Sequence, residues 1–384
     1  MPRIQALDLI RGVSILGILL LNIVAFGQPR AAYLNPAWHG QPAWADALSW
    51  AVMDFFALLK FLSLFALLFG AGIQMLLPAG KRWLQARLSW LVLLGFMHGV
   101  FLWDGDILLD YGLIGLLAWR MIRDAGSSRR LLNTGVLLYL VGCGALLAMS
   151  MASGEQVNDS WLPGFAEVQY ETFWKVHGGW EAVRNRLDML MSGLLSLAAQ
   201  YGWQLAGLML IGAALMRSGW LNGERSQAHY RRCALMLIGT AWLIQIPAIY
   251  LQWHSGWDFR WSGFLLQLPS ELAAPLQALG YAALCFGWWP TLCQLKITTA
   301  VTCVGRMALS NYLLQTLICT TLFNRLGWFN QLDRVHLLML VPLVWLCNIL
   351  FSVYWLRYFR QGPMEWLWRK LTRLAGGKPL HKRA

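Results

Sequence analysis

Residues 90–112 read WLVLLGFMHGVFLWDGDILLDYG, an apolar run holding one imidazole, His98, and then three carboxylates, Asp104, Asp106 and Asp110. A histidine beside a carboxylate is the pairing that general-base catalysis uses. The imidazole takes a proton from an attacking hydroxyl or amine, and the carboxylate holds the ring in one tautomer. In hydrocarbon these side chains are costly, so inside an apolar helix they mark a candidate site. Two blander roles compete: His98 as a hydrogen-bonded core imidazole, and Asp104 or Asp106 as a cap on the following helix, where acidic residues are favoured. Asp110 falls a turn inside that helix, and the sequence offers it no specific partner.

The elements that position these residues cross a membrane. The chain is 58% hydrophobic and only 13% charged, with 23 Trp, whereas soluble domains carry roughly 25% charged residues. A net charge of +13 reflects basic loops held on the cytoplasmic side by the positive-inside rule, so nucleic acid is not an expected partner. The seven cysteines show no CxxC pair and no His partner at ligand spacing. They read as small core residues, and neither a metal site nor a permanently bound cofactor is expected.

A transmembrane helix needs about 20 apolar residues, and the chain divides into about ten such runs. They cover 7–26, 61–77, 84–103, 106–120, 131–152, 190–216, 230–253, 268–289, 297–323 and 336–359. The stretch before the second span, from Trp44, reads as interfacial, with Asp54 and Lys60 reaching polar surroundings, and FGAG at 69–72 suits close helix contact. The expected fold is all-α, a single polytopic membrane bundle over 1–384. Segment 153–188, between the fifth and sixth spans, holds six of the 18 acidic residues and is expected as a periplasmic cap; 360–384 is a basic cytoplasmic tail. With the N-terminus inside, 21 of the 31 Lys and Arg face the cytoplasm and seven the other side, Arg11, Lys60 and Arg306 remaining inside spans. Both termini are therefore expected in the cytoplasm, the bundle lying in the bacterial inner membrane.

At ~1.5 Å per residue, Asn22, His98, Gln245 and Asn311 fall at one depth, about 20 Å from the inner face. Glu271, Asp104 and Asp106 come close above. This predicts a polar chamber open outward. Asn and Gln in spans also serve as interhelical hydrogen bonds, a role equally open to Gln245 and Asn311. Asn311 sits in VGRMALSNYLLQ among Arg306, Tyr312 and Gln315. Asp8 and Arg11, three apart, share a helix face either as an interfacial ion pair or as substrate contacts.

LDLIRGVSILGILLLNI, KFLSLFALLFGAG, GFMHGVFLWDGDILLDYGLIGLL, YGWQLAGLMLIGAALMRSGWL, CVGRMALSNYLLQTLICT and LRYFRQGPMEWLWR resemble, across the whole chain, the YeiB family of bacterial inner-membrane proteins. The first of these motifs is also similar to that of the transmembrane acyltransferase superfamily, which includes the O-antigen acyltransferases and the lysosomal heparan-glucosaminide acetyltransferase. There a helix beginning with Asp and Arg carries a polar residue eleven positions after the Arg, His in the O-acyltransferases and Asn in the lysosomal enzyme. In this chain that position is Asn22. Position 22 is not His, and Tyr33 stands where the lysosomal pattern has a His, so His39 or His98 would supply the base.

The resemblance implies transfer of an acyl group from cytoplasmic acyl-CoA to a hydroxyl or amine acceptor at the periplasmic side. Lys81, Arg82 and Arg87 would hold the donor's phosphates, His98 would be the base with Asp104 or Asp106 orienting it, and Asn22 or Asn311 would donate to the oxyanion. Asp8, Arg11, Gln245, Glu271, Arg306 and Gln315 are the candidate substrate contacts. Expected partners are membrane lipids, acyl-CoA, the periplasmic acceptor and, as one option, a second copy in a homodimer. The competing function is a small-molecule or lipid transporter, since polar residues on several helices at one depth also suit a carrier.

Overall fold

The computed structural model describes residues 4–152 and 159–379, and every regular element among them is helical. Arg3, Glu155, Lys382 and Arg383, all counted above, lie outside the described residues, as do the start of the expected cap and the end of the basic tail. The helices are α1 Gln5–Gly27, α2 Trp44–Phe56, α3 Lys60–Leu76, α4 Lys81–Phe101, α5 Leu108–Asp124, α6 Ser128–Ala152, α7 Phe165–His177, α8 Gly179–Ser196 and α9 Gly202–Arg217. They continue as α10 Gln227–His254, α11 Phe259–Ser262, α12 Leu268–Gly287, α13 Trp289–Leu292, α14 Lys296–Arg306, α15 Ala308–Thr320, α16 Arg334–Tyr358 and α17 Pro363–Gly376.

Burial follows a membrane logic. The first helix, apolar all round, is buried on nearly every face and packs against α3, α14, α15 and α16, as expected of a central helix. The tenth buries only the stripe Tyr230, Ala234, Ala241, Gln245, Ala248 and Gln252, while Leu235, Met236, Leu243 and Ile246 point outward. Only a lipid solvent favours an apolar outer face of that size. The protein is a helical membrane bundle.

Among the described residues, seven helical stretches are long and apolar enough to cross a membrane; three of the ten expected spans fall short of that measure. The fifth helix has 17 residues. The twelfth carries Pro269, Ser270, Glu271, Pro275 and Gln277. The expected span 297–323 breaks at Met307 into α14 and α15 and then widens over Thr321–Arg325. Within the segment expected as a cap lie α7 and the start of α8, which runs on through a wide turn at Leu197–Tyr201 into α9.

The expected interfacial setting of Asp54 and Lys60 is also corrected. A break at 57–59, with Leu59 at φ 63°, turns α2 into α3 inside the bundle, where Asp54 is 2% and Lys60 0% exposed. The pair is stabilised by groups from α10 and α12 that no local reading of 44–77 could supply.

Two glycine crossings fix the frame. A Cβ on Gly305 would lie 1.8 Å from the Asp8 carbonyl oxygen, and one on Gly12 2.1 Å from that of Val301, so α1 and α14 touch backbone to backbone. Gly70 in FGAG meets the Met209 carbonyl, and Gly212 that of Leu67, locking α3 to α9 in the same way. The last helix returns to pack on α4, and its Glu365 lines one cavity with Asp8. Both ends of the described chain therefore meet at one end of the bundle.

Candidate functional site

His98 lies in the last turn of α4, where its carbonyl accepts from the N–H groups of Leu102 and Trp103 at 2.9 and 3.0 Å. The chain then turns through Asp104, Gly105 and Asp106 into α5. Asp106 uses both oxygens: Oδ1 lies 2.7 Å from His98 Nδ1, and Oδ2 accepts from the Leu109 N–H at 2.8 Å. The second bond caps α5 and fixes the carboxylate; the first fixes the ring. Because a carboxylate only accepts, Nδ1 carries the ring proton opposite ionised Asp106. In the neutral ring Nε2 is then the acceptor, and it lies 3.0 Å from the Thr316 hydroxyl of α15, whose other acceptor is the Tyr312 carbonyl at 3.4 Å. Hydroxyl, imidazole and carboxylate are thus aligned in the order that activates an oxygen nucleophile.

Tyr312, one turn before Thr316, packs its ring 5.3 Å from that of His98, and its hydroxyl accepts from the Ile107 N–H at 3.3 Å. It also borders a cavity of about 320 Å³. Polar groups crowd one end of this cavity, where Arg11, Arg87, Arg306 and Arg369 stand with Asp8 and Glu365. The walls beyond are apolar, with Ile15, Phe69, Leu88 and Leu91, and the far end reaches Ile107, Tyr111 and Tyr312. Glu365 accepts from the Leu309 and Ser310 N–H groups at 2.8 and 3.1 Å, capping α15 and seating α17 at the mouth. Trp368 donates its indole N–H to the Arg87 carbonyl at 2.8 Å, and the Arg87 guanidinium lies 3.5 Å from a Trp368 ring centroid. Asp8 accepts from Arg11 at 3.2 Å. Four guanidinium groups against two carboxylates leave the mouth cationic.

Asn22 is nine-tenths buried. Eleven residues at 100° each return a helix to within about 20° of its start, so Asn22 shares the α1 face that carries Arg11 at the mouth. Phe26, one turn further on, stacks on Trp103 at 4.0 Å. That face therefore runs from the cationic mouth to the roof of the histidine.

Several expected positions turn out differently. Asp104 does not hold His98. It lies 3.6 Å from Lys175 Nζ, which is also 3.3 Å from Glu171, both on α7. With Phe26 on Trp103 and Arg186 donating to the Phe101 carbonyl at 3.3 Å, this pairing roofs His98 on the side where an open chamber was expected. The four polar residues predicted at one depth do not share contacts. Asn311 is fully engaged, its amide donating to the Val304 and Met307 carbonyls at 3.2 and 3.0 Å and to Ser352 at 2.7 Å, while its oxygen accepts from Asn348 at 2.9 Å. It seals the α14–α15 break and has no donor left for an oxyanion. Gln245 and Glu271 belong to a different cluster, around Asp54 and Tyr139. Gln315 ties α15 to the Ile15 carbonyl at 3.2 Å. Lys81 and Arg82 are exposed and do not border the cavity, unlike Arg87. His39 is exposed in its loop against Trp38. Asp110 has the partner its own stretch did not offer, the Tyr201 hydroxyl.

Thr316, Arg369 and Glu365 were not singled out by type and spacing. One signal was available for Thr316, which sits four residues after Tyr312 and so on the same helix face. The division of labour between the two aspartates is testable. Asp104→Asn is expected to raise hydrogen exchange in α7 while leaving ring orientation intact, so any activity lost should be far smaller than with Asp106→Asn.

The fold and site together define a membrane helical bundle with a buried carboxylate–histidine–hydroxyl array beside a cation-mouthed apolar cavity. The chain belongs to the YeiB family. It is 60% identical to "Uncharacterized protein YeiB" of Escherichia coli (strain K12), across 100% of this chain and 99% of that one. "Uncharacterized protein YxaH" of Bacillus subtilis (strain 168) is 27% identical over 97% of this chain and 95% of its own. A 39.9 kDa protein of Bacillus acidopullulyticus, described as lying in the amylase 3' region, is 24% identical over 96% and 94%. The family model described as "Protein of unknown function (DUF418)" matches residues 215–375. No solved structure matches the chain.

Proposed function

We propose that this protein is an acyltransferase of the bacterial inner membrane, taking an acyl group from cytoplasmic acyl-CoA and passing it to a hydroxyl or amine acceptor at the periplasmic side. One observation carries the reading: a single cavity joins four arginines at its mouth to Tyr312, the residue packed against the His98 ring. Arg11, Arg87, Arg306 and Arg369 suit the donor's phosphates, because guanidinium forks match phosphate oxygens. The apolar walls suit the pantetheine arm and a short acyl chain, and the thioester comes to rest near Tyr312.

His98 acts as general base once Nε2 exchanges the Thr316 hydroxyl for that of the acceptor. The acceptor oxygen bonds to the carbonyl carbon as its proton moves to Nε2; the C–S bond then breaks, and the proton goes to the departing thiolate to give free CoA. Asp106 orients the ring throughout. On this reading Asn22 supplies the amide that meets the oxyanion, and the cap over Asp104 closes behind the acceptor.

The purified chain in lipid nanodiscs, offered labelled acetyl-CoA, tests the proposal. Transfer to a lipid-linked or soluble acceptor, or slow hydrolysis without one, is expected. Absence of both, with no CoA binding in competition, would sink it, and solute uptake by proteoliposomes would point to transport. Arg306→Glu and Arg369→Glu are each expected to raise KM for acetyl-CoA about tenfold with kcat nearly unchanged, since each removes a charge-assisted contact made equally in ground and transition states. Steady-state kinetics at low and high salt would check this.

A further inference from the structure

A second polar cluster, away from the histidine, sits where α2 breaks into α3. The break leaves the carbonyls of Asp54, Phe55 and Phe56 without backbone donors, and side chains fill the gap. Lys60 Nζ and Gln245 Nε2 donate to the Asp54 carbonyl at 2.5 and 3.3 Å, Gln277 Nε2 to that of Phe55 at 3.0 Å, and the Tyr281 hydroxyl to that of Phe56 at 2.9 Å. Donors spent on backbone are missing elsewhere. Asp54 Oδ1 receives Ser270 at 3.1 Å, a long second contact from Gln245 Nε2 at 3.5 Å, and has Lys60 Nζ at 3.8 Å, but Asp54 Oδ2, Gln245 Oε1 and Gln277 Oε1 are buried with no partner. All three orphans are acceptors.

The charges are out of balance in the same sense. Around Asp54 stand Lys60 from α3, Gln245 from α10, and Ser270, Glu271 and Gln277 from α12. Around Glu271 stand Tyr139 and Cys143 from α6 and Gln204 from α9; Gln204 donates to its Oε2 at 3.1 Å, while the Tyr139 hydroxyl donates to its backbone carbonyl at 2.6 Å and lies 3.4 Å from Oε2. Among these groups Lys60 is the sole cation; it lies 3.8 Å from Asp54, and Glu271 follows in the chain on Ser270, whose hydroxyl bonds Asp54, so one cation stands against two carboxylates. With all three ionised, one negative charge is in excess within an apolar bundle, where uncompensated charge is costly. One proton on a carboxylate corrects both deficits, cancelling the charge and creating an O–H donor. A metal cation would cancel the charge but bring no donor, and it would meet the Lys60 ammonium beside Asp54.

We propose that Asp54, Lys60 and Glu271 form a membrane-buried proton-binding site whose two carboxylates share one exchangeable proton. Broken helices with ionisable groups at the break are where membrane proteins place ions and protons. The site is independent of the acyl-transfer reading.

Infrared difference spectroscopy of the full chain in nanodiscs, titrated with acid and base, reads protonated carboxyl groups directly. The wild type should hold a protonated carboxyl at neutral pH that is lost on adding base. Asp54→Asn and Glu271→Gln should each remove one protonated carboxyl per chain, because the remaining carboxylate balances Lys60. Lys60→Met should add one, because two carboxylates then lack a cation. This opposite sign separates proton binding from damage to packing. Absence of any protonated carboxyl in the wild type, or an unchanged band in both carboxylate variants, would overturn the proposal. So would loss of the wild-type band on exchanging N-methylglucamine for sodium, which would assign the site to a metal cation. If one carboxylate variant fails to fold, the other carries the same expectation, and the wild-type titration stands without either.

Discussion

Replacing His98 by Ala is expected to lower kcat for acyl transfer about 10³-fold, within the range that general-base groups contribute, while CoA binding persists. The ring touches Asp106, Thr316 and Tyr312 and borders no arginine of the mouth, so its loss should spare the donor. Asp106→Asn is expected to cost a similar factor for a different reason. An amide placed at Oδ1 can turn its NH₂ toward Nδ1 and stabilise the wrong tautomer, which puts the ring proton on Nε2 and removes the base. Since the two residues act as one unit, the double variant should be no slower than either single variant. Single-turnover transfer with labelled acetyl-CoA, read beside CoA binding, checks all three expectations. A His98→Ala protein that transfers at the wild-type rate would remove the histidine from the mechanism and direct attention to His39.

The contrast between His98 and its partners shows what could be read in advance. His98 and Asp106 are eight residues apart and meet because a helix end, a tight turn and a helix start are local features. The ion pair of Asp8 and Arg11 is local as well. Thr316 comes from 218 positions away, and Arg369 and Glu365 reach the cavity only because α17 folds back across α4. Counting depth along straight spans put Asn311 and Gln245 beside His98, yet depth says nothing of rotation about the helix axis or of breaks in it. The break at Met307 gave Asn311 two open carbonyls to close, and the break after Phe56 drew Gln245 to Asp54. Polar residues inside a membrane go first to satisfy backbone that the helices leave open; where no break competes, as at His98, local chemistry keeps its expected place.

Gly305→Val should be the most disruptive single substitution outside the histidine array, and its cause is purely steric. A Cβ there would sit 1.8 Å from the Asp8 carbonyl oxygen and 2.6 Å from the Gly12 amide nitrogen, so backbone rather than a yielding side chain must move. Overpacking in a tight interior costs about 1–3 kcal/mol and occasionally more, and the backbone contact puts this site at about 3 kcal/mol or above on that scale. The consequence is directed as well as large. Asp8 and Arg11 flank the crossing on α1, and Arg306 follows it on α14, so parting the two helices widens the mouth and separates the guanidinium groups that line it. Gly305→Val is therefore expected to lower the thermal midpoint in detergent and to weaken CoA binding together, whereas Gly144→Val, at an exposed glycine of α6 with open space around its Cβ position and away from the cavity, should shift the midpoint little. Thermal unfolding and CoA binding measured on both variants decide the point, and an unshifted midpoint for Gly305→Val would mean that α1 and α14 do not cross at backbone contact.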